Sequence, residues 1–193
     1  MVFNKSVFKK MIKTAYKTCG LMVANKDGRI ILAGSWWMMS VEEKWFPQWG
    51  MAAVIELTGE IPAAGESFRT TTAGNQMELP NEFVLGLDDN CYNREKSDEY
   101  LDTHILDDSK VYLMHYLRNG RNVVAVNEMI MELYDPGVGE EGEPTDAEPA
   151  RVDHQWVYWH TPVCSWACGI IDYLKPEDIA FCEGLGELLQ AVR

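Results

Sequence analysis

Two Asx-Gly pairs, each set between apolar and β-prone segments, constrain the fold of this chain most strongly. The first pair, Asp27-Gly28, lies between Leu21–Ala24 and Arg29–Ala33. The second pair is Asn119-Gly120. Its flanking segments are Val111–Leu117 and Val123–Leu133. Because Asp-Gly and Asn-Gly favour the tight turns that join antiparallel strands, both stretches predict β-hairpins.

An amphipathic helix is predicted ahead of the first hairpin, with Ser6 as its cap and Gly20 at its end. Its apolar residues recur at helical spacing. They are Val7, Phe8, Met11, Ile12, Ala15 and Tyr16. Further strands are predicted at Ala52–Leu57 and at Gln155–Trp159, the latter paired with the strand that ends at residue 133. A C-terminal helix is predicted over Pro176–Val192, so the fold class is α+β and β-rich.

A shift of 92 positions aligns the two hairpins. Asp27-Gly28-Arg29 then falls on Asn119-Gly120-Arg121, and Met39 falls on Met131. A chance match stays open as the alternative, because Asx-Gly turns and Val/Ile strands are common. A structural repeat would mean two similar helix-plus-hairpin modules. The predicted division is residues 1–85 for the first module, 86–108 for an acidic connector and 109–193 for the second module, which holds an acidic loop at 135–153 and the terminal helix.

The charge is distributed unevenly along the chain. Seventeen Lys and Arg against 30 Asp and Glu give a net charge of −13 over 193 residues. Residues 1–18 nevertheless contain five lysines and no acidic residue, whereas residues 88–108 hold eight acidic residues and 135–153 hold seven. Any function assigned to this protein has to accommodate an acidic body that carries one basic helix.

This arrangement resembles the opening module of bacterial and phage sliding clamps, the processivity factors of DNA polymerases. The resemblance is carried by Met1–Phe3, Val7–Lys17, Leu21–Met39 and Val54–Pro62. It implies a clamp-like architecture of repeated modules, an acidic exterior, lysines that face DNA and a homo-oligomer. The chain is also similar in style to small accessory proteins of phages and prophages, which implies the cytoplasm of a bacterial host cell.

Two hypotheses of different classes follow from the charges. In the first, Lys9, Lys10, Lys13 and Lys17 contact the phosphates of DNA in weak, salt-dependent binding. In the second, the protein is an acidic anti-defence inhibitor, an anti-CRISPR protein or DNA mimic, that binds a basic nucleic-acid-binding host protein. The candidate contact residues for the second are Asp98, Glu99 and Asp102. Ordinary solvated surfaces are the alternative for both.

Trp45 and Trp49 flank Pro47, and the two rings are a candidate protein-docking patch. The other tryptophans in or beside predicted strands are expected in the core. They are Trp36, Trp37, Trp156, Trp159 and Trp166.

Sequence motifs favour a protein that is not an enzyme. The chain has no Gly-x₄-Gly-Lys-Ser/Thr, Gly-x-Gly-x-x-Gly, His-Glu-x-x-His or Gly-x-Ser-x-Gly motif. His160, Cys164 and Cys168 are four residues apart but lack a Cys-x₂-Cys pair, so buried thiols are expected rather than a metal site. No cofactor is implied. No apolar run approaches the length of a membrane span, and lysines interrupt any apolar signal sequence at the N-terminus.

Overall fold

The computed structural model describes residues 3–74, 77–78, 99–105, 114–119, 122–133, 149–151, 156–161 and 163–170. The described residues include three α-helices: α1 (Lys5–Thr18), α2 (Gln48–Thr58) and α3 (Glu128–Leu133). A 3₁₀ helix covers Glu43–Trp45. The strands are β1 (Leu21–Lys26), β2 (Arg29–Ala33), β3 (Trp37–Glu42), β4 (Ser67–Thr70), β5 (Met77–Glu78), β6 (Glu99–Ile105), β7 (Met114–Asn119), β8 (Asn122–Asn127), β9 (Pro149–Arg151), β10 (Trp156–His160) and β11 (Cys164–Gly169).

The strands form two sheets, and the larger one joins both ends of the described chain. Its order is β5-β4-β1-β2-β3-β11-β10-β9, and every neighbouring pair is antiparallel. The smaller sheet has the order β6-β7-β8. Helices and antiparallel sheets together make a mixed α+β fold, as the sequence predicts. The module boundaries at residues 85 and 109 stay predictions, and the predicted C-terminal helix lies outside the described residues.

Strand β1 pairs with β2 and strand β7 pairs with β8, as both hairpin predictions require. The first turn uses Asp27 and Gly28 at φ values of 52° and 72°, the left-handed conformation that such a turn requires and that glycine adopts without strain. Lys26 pairs with Arg29 at its base, and Asn119 pairs with Asn122 at the base of the second. On the C-terminal side of the hairpins the aligned residues differ in structure, because Met39 lies on β3 whereas Met131 lies on α3.

The segment Ala52–Leu57, which we predicted as a strand, is part of helix α2. The buried residues of α2 recur at helical spacing, and they are Gly50, Ala53, Val54 and Thr58. Val54 and Ile55 have side chains that favour β-strands. The segment nevertheless packs against α1 as a helix, because pairs of buried residues alternate with pairs of exposed ones along it. Tertiary packing therefore overrides the β-propensity of this segment.

Two further strand predictions are partly wrong: one strand ends earlier than predicted, and the other pairs with different strands. The strand predicted over Val123–Leu133 ends at Asn127, whose side-chain Oδ1 accepts a hydrogen bond from the Met129 N–H at 3.0 Å and so starts α3. Strand β10, expected to pair with that strand, pairs instead with β9 and β11.

The main core lies between one face of the large sheet and the helices. Trp37, Trp159 and Trp166 are all 2% exposed there, which confirms their predicted core position. Trp159 and Trp166 are cross-strand partners whose rings stack with centroids 6.2 Å apart. A second cluster of buried side chains lies on the opposite face of the sheet, and it consists of Ala24, Ile31, Ala33, Met38, Tyr158 and Ala167. This arrangement holds α1 firmly on the sheet with one side outward.

Candidate nucleic-acid interface

Helix α1 separates its residues into a buried and a charged side. Its buried residues are Val7, Phe8, Met11, Ile12 and Ala15. All its lysines are exposed, and we call them the lysine face: Lys5, Lys9, Lys10, Lys13 and Lys17. At 1.5 Å per residue, the row from Lys5 to Lys17 is about 18 Å long. The structure thus brings the four predicted lysines together on one surface and adds a fifth.

The start of α1 is fixed by Asn4 rather than by Ser6, which we predicted as the cap. The Asn4 Oδ1 accepts hydrogen bonds from the Ser6 N–H at 3.1 Å and the Val7 N–H at 3.4 Å. Asn4 also donates its own N–H to the Leu133 carbonyl at 2.9 Å, which ties the start of α1 to the end of α3. Its extended conformation makes it the natural N-cap.

Most charges of the lysine face oppose helix formation, whereas Lys17 lies in the last turn, where the helix dipole favours a positive charge. Lysines four positions apart repel one another, at a cost of about 0.2–0.5 kcal/mol per pair. Lys5 places positive charge in the first turn, where the helix dipole favours negative charge, and α1 has no acidic residue there. Within the described part of the chain, none of the five lysines forms an ion pair with a carboxylate. The lysine face is therefore a concentrated positive surface on an acidic protein.

Aromatic rings lie at the N-terminal end of the lysine face. The Phe8 ring of α1 packs edge-on against Trp49 of α2, with centroids 5.3 Å apart, and against Phe46 at 6.0 Å. The Lys5 Nζ lies 5.9 Å from the centroid of Trp49. The row of lysines thus begins beside an indole ring.

The two tryptophans predicted as an exposed pair differ in exposure. Trp45 is 48% exposed, whereas Trp49 is half-buried and packs against Phe8. The Lys44 Nζ lies 5.8 Å from the Trp45 centroid and 2.8 Å from Oε2 of Glu42. The hydrogen bond from Lys44, with its charge and that of Arg29, outweighs desolvation and lowers the pKa of Glu42.

The predicted acidic contact residues lie on another part of the fold. Glu99 and Asp102 belong to β6 of the three-stranded sheet, and Asp98 lies outside the described residues. Of the acidic segment 135–153, only Pro149–Arg151 is described, as β9. That these carboxylates contact a basic partner protein stays a prediction.

The residues weighed as metal ligands make other contacts. The Nδ1 of His160 lies 2.9 Å from the Ser165 Oγ, and the Cys164 sulfur lies 3.1 Å from the Thr161 Oγ1. Burial raises the pKa of the Cys168 thiol, which keeps it protonated and unreactive near neutral pH. Among the described residues, no three His, Cys, Asp or Glu side chains are grouped to hold a metal ion. The absence of enzymatic activity stays a prediction.

Our sequence reading named four lysines and missed Lys5 and the contact that Lys5 makes. The spacing carried the signal for Lys5, since it lies four residues before Lys9 and so on the same side of a helix. No sequence signal identifies the packing of Trp49 on Phe8. That contact depends on α2 lying beside α1, and the helical structure of α2 was itself mispredicted.

Comparisons with known proteins found weak structural similarity to bacterial sliding clamps. The DNA polymerase III subunit beta (DnaN) sliding clamp of Bartonella birtlesii matches with a TM-score of 0.29 and 10% identity, over 93% of this chain and 67% of the clamp. The same clamp bound to griselimycin gives 0.27, 10%, 93% and 67%. The Bacillus subtilis DNA polymerase sliding clamp gives 0.27, 8%, 93% and 66%. These scores describe a weak resemblance and do not establish a shared fold.

No protein-family model matches the chain, and no curated protein matches it. In the part of the chain that the structure describes, none of the helices combines the length and apolar character needed to cross a membrane. The phage origin, the cytoplasmic location and the homo-oligomer stay expectations from the sequence.

Proposed function

We propose that this chain is a non-enzymatic accessory protein of DNA transactions whose lysine face contacts the phosphates of nucleic acid. The observation that carries the proposal is the set of five exposed lysines on one side of α1, none of them paired with a carboxylate of the described residues. The chain as a whole has a net charge of −13. Unpaired cations on an acidic protein favour a polyanionic partner.

Packing supports the rigidity that such a surface needs. The side of α1 opposite the lysines is buried against α2, α3 and the large sheet, with Phe8, Met11 and Ile12 each 1% exposed. The lysine ammonium groups therefore project from a fixed backbone. A nucleic-acid strand binding along the row would meet a charge at each helical turn, because Lys5, Lys9, Lys13 and Lys17 are spaced by four residues.

Salt dependence follows directly from this mode of binding. Each phosphate neutralised contributes about −0.9 to the slope of log K against log salt for duplex DNA and about −0.7 for a single strand. A five-lysine contact therefore predicts a slope of about −3.5 to −4.5. Repulsion from the acidic body keeps the binding weak, so low salt is the condition in which to measure it.

The test replaces Lys9, Lys10, Lys13 and Lys17 by glutamine, which changes the net charge from −13 to −17. Binding of fluorescent 20-nucleotide and 20-base-pair DNA is measured by anisotropy at 50 mM salt. We expect at least about a tenfold loss of affinity. The slope of log K against log salt should become shallower by about three units. Unchanged affinity and slope would overturn the proposal.

The matched control reaches the same net charge elsewhere on the surface. Its four glutamates are introduced at exposed positions outside α1 and α2, namely Ser35, Ala64, Thr72 and Ala73. We expect this control to lose less affinity than the lysine variant, because it keeps all the lysines that would contact phosphate. Tight binding of a basic protein with no binding of either DNA by the parent would favour the acidic-inhibitor hypothesis and overturn the proposal.

A further inference from the structure

The outward side of α2 carries a single charge, on a protein whose net charge is −13. Its exposed residues recur at helical spacing, and we call them the α2 strip: Gln48, Ala52, Ile55 and Glu56. Ile55 is 43% exposed, and Glu56 is the only ionisable residue of the helix. An exposed apolar side chain of this size gains free energy when another surface covers it.

The polar residues of the strip are placed symmetrically about Ala52. Gln48 lies four residues before Ala52 and offers an amide N–H donor, whereas Glu56 lies four residues after it and offers a carboxylate acceptor. Within the described part of the chain, neither side chain forms a hydrogen bond or an ion pair. A donor and an acceptor at equal distances from a common centre make a surface complementary to itself after a rotation of 180°.

A second copy of α2 satisfies both groups when the two helices lie antiparallel and cross at Ala52. Gln48 of each copy then faces the partner's Glu56, so the same hydrogen bond forms twice. The small Ala52 side chains allow the helix axes to approach to about 8 Å, and Ile55 is covered by the other helix. The two Glu56 carboxylates stay about 12 Å apart along the axis, beyond the Debye length of about 8 Å at physiological salt. Parallel helices would place them side by side.

We propose that two copies of this chain associate through the α2 strip, with their α2 helices antiparallel about a two-fold axis at Ala52. The proposal uses no residue of the lysine face and so goes beyond the proposed function. Helix α2 has 11 residues. At a length of about 16 Å it buries less than the roughly 1,200–2,000 Å² of a stable interface, so the dimer is weak.

Sedimentation velocity measures the mass of the parent at about 5 and about 500 μM, a range that spans weak affinities. We expect monomer at the low concentration and dimer at the high one. Ile55→Glu should weaken association at least about tenfold, because it places a charge in the apolar contact. Ala64→Glu adds the same charge at an exposed position outside α2 and should associate as the parent does. A parent that is monomeric throughout, growth beyond a dimer, or equal effects of the two variants would overturn the proposal.

A charge exchange tests the pairing of the two polar residues. Gln48→Glu places a carboxylate opposite the partner's Glu56 and should weaken association at least about tenfold. The variant keeps α2 folded, since a negative charge in the first turn suits the helix dipole. Gln48→Glu/Glu56→Gln exchanges donor and acceptor, retains the net charge of −13 and should restore the parent's affinity. A double variant that associates no better than Gln48→Glu would overturn the proposed register.

Cross-linking locates the two-fold axis. Ala52→Cys places two thiols on the axis, where their Cα atoms are within the roughly 4–7 Å that a disulfide requires. Two copies of Gln48→Cys, the control on the same strip, would hold their thiols about 12 Å apart along the axis. Under mild oxidation Ala52→Cys should form a disulfide-linked dimer well above the level of the parent. Equal cross-linking of the two variants, or none by Ala52→Cys, would show that the helices do not cross at Ala52.

Discussion

The buried and the lysine-bearing sides of α1 contribute to the helix in opposite directions. Phe8, Met11 and Ile12 are each 1% exposed, and burying a side chain of this size contributes about 1.5–3 kcal/mol. The lysines on the other side repel each other at a cost of a few tenths of a kcal/mol per pair. Packing outweighs this repulsion several-fold, so the fold tolerates a surface that folding itself does not favour.

The largest expected effect is on the buried side. Phe8→Ala should lower the free energy of unfolding by about 3–5 kcal/mol, because it removes a ring that contacts both Phe46 and Trp49. Urea denaturation measures the change. Lys9→Ala, one residue along on the exposed side, is the control and should stay within about 0.5 kcal/mol. A cost below about 1 kcal/mol for Phe8→Ala would contradict the contrast drawn between the two sides.

A smaller effect is expected at the point where α1 begins. Asn4→Ala removes the side-chain acceptor for the N–H groups of Ser6 and Val7 and should cost about 0.5–2 kcal/mol. Asn4→Asp should retain the cap and add a favourable negative charge at the helix N-terminus. Equal destabilisation by both variants would show that the backbone bond to Leu133, rather than the cap, fixes this end.

The smallest expected effect is an increase in the free energy of unfolding. It tests the contrast between the two sides of α1 most directly. Lys9→Glu replaces two repulsive pairs, with Lys5 and Lys13, by attractive ones and should raise stability by about 0.5–1 kcal/mol. The same variant should weaken nucleic-acid binding. Lys26→Glu, an exposed lysine on β1, is the control for the change in charge. Lower stability of Lys9→Glu would mean that the lysines stabilise α1 and have no need of a ligand.

Features that depend on local sequence could be predicted. The two sides of α1 follow from the spacing of Phe8 and Met11 against the lysines, and the first hairpin follows from Asp27-Gly28, which only a few turn types accommodate. The candidate site was predictable to the same extent, because four of its lysines lie on one continuous helix.

Features that depend on distant partners could not be predicted. The segment containing Val54 and Ile55 is helical because of what it packs against, and its own composition points to a strand. The aromatic contact that places Trp49 beside Lys5 depends on that helix. In the same way, no local pattern indicates that β3, which pairs with β2 on one side, pairs with the distant β11 on the other.

The pairing of β3 with β11 also means that the sheet cannot be completed until long after β3 has been synthesised. Met39 and Trp166 are cross-strand partners separated by 127 positions. At about 5–20 residues per second, a ribosome needs on the order of ten seconds to make the chain between them. Throughout that interval β3 is an open edge of an unfinished sheet, available to any other extended chain. We therefore expect the nascent N-terminal half to aggregate more readily than the complete protein until β11 has been synthesised.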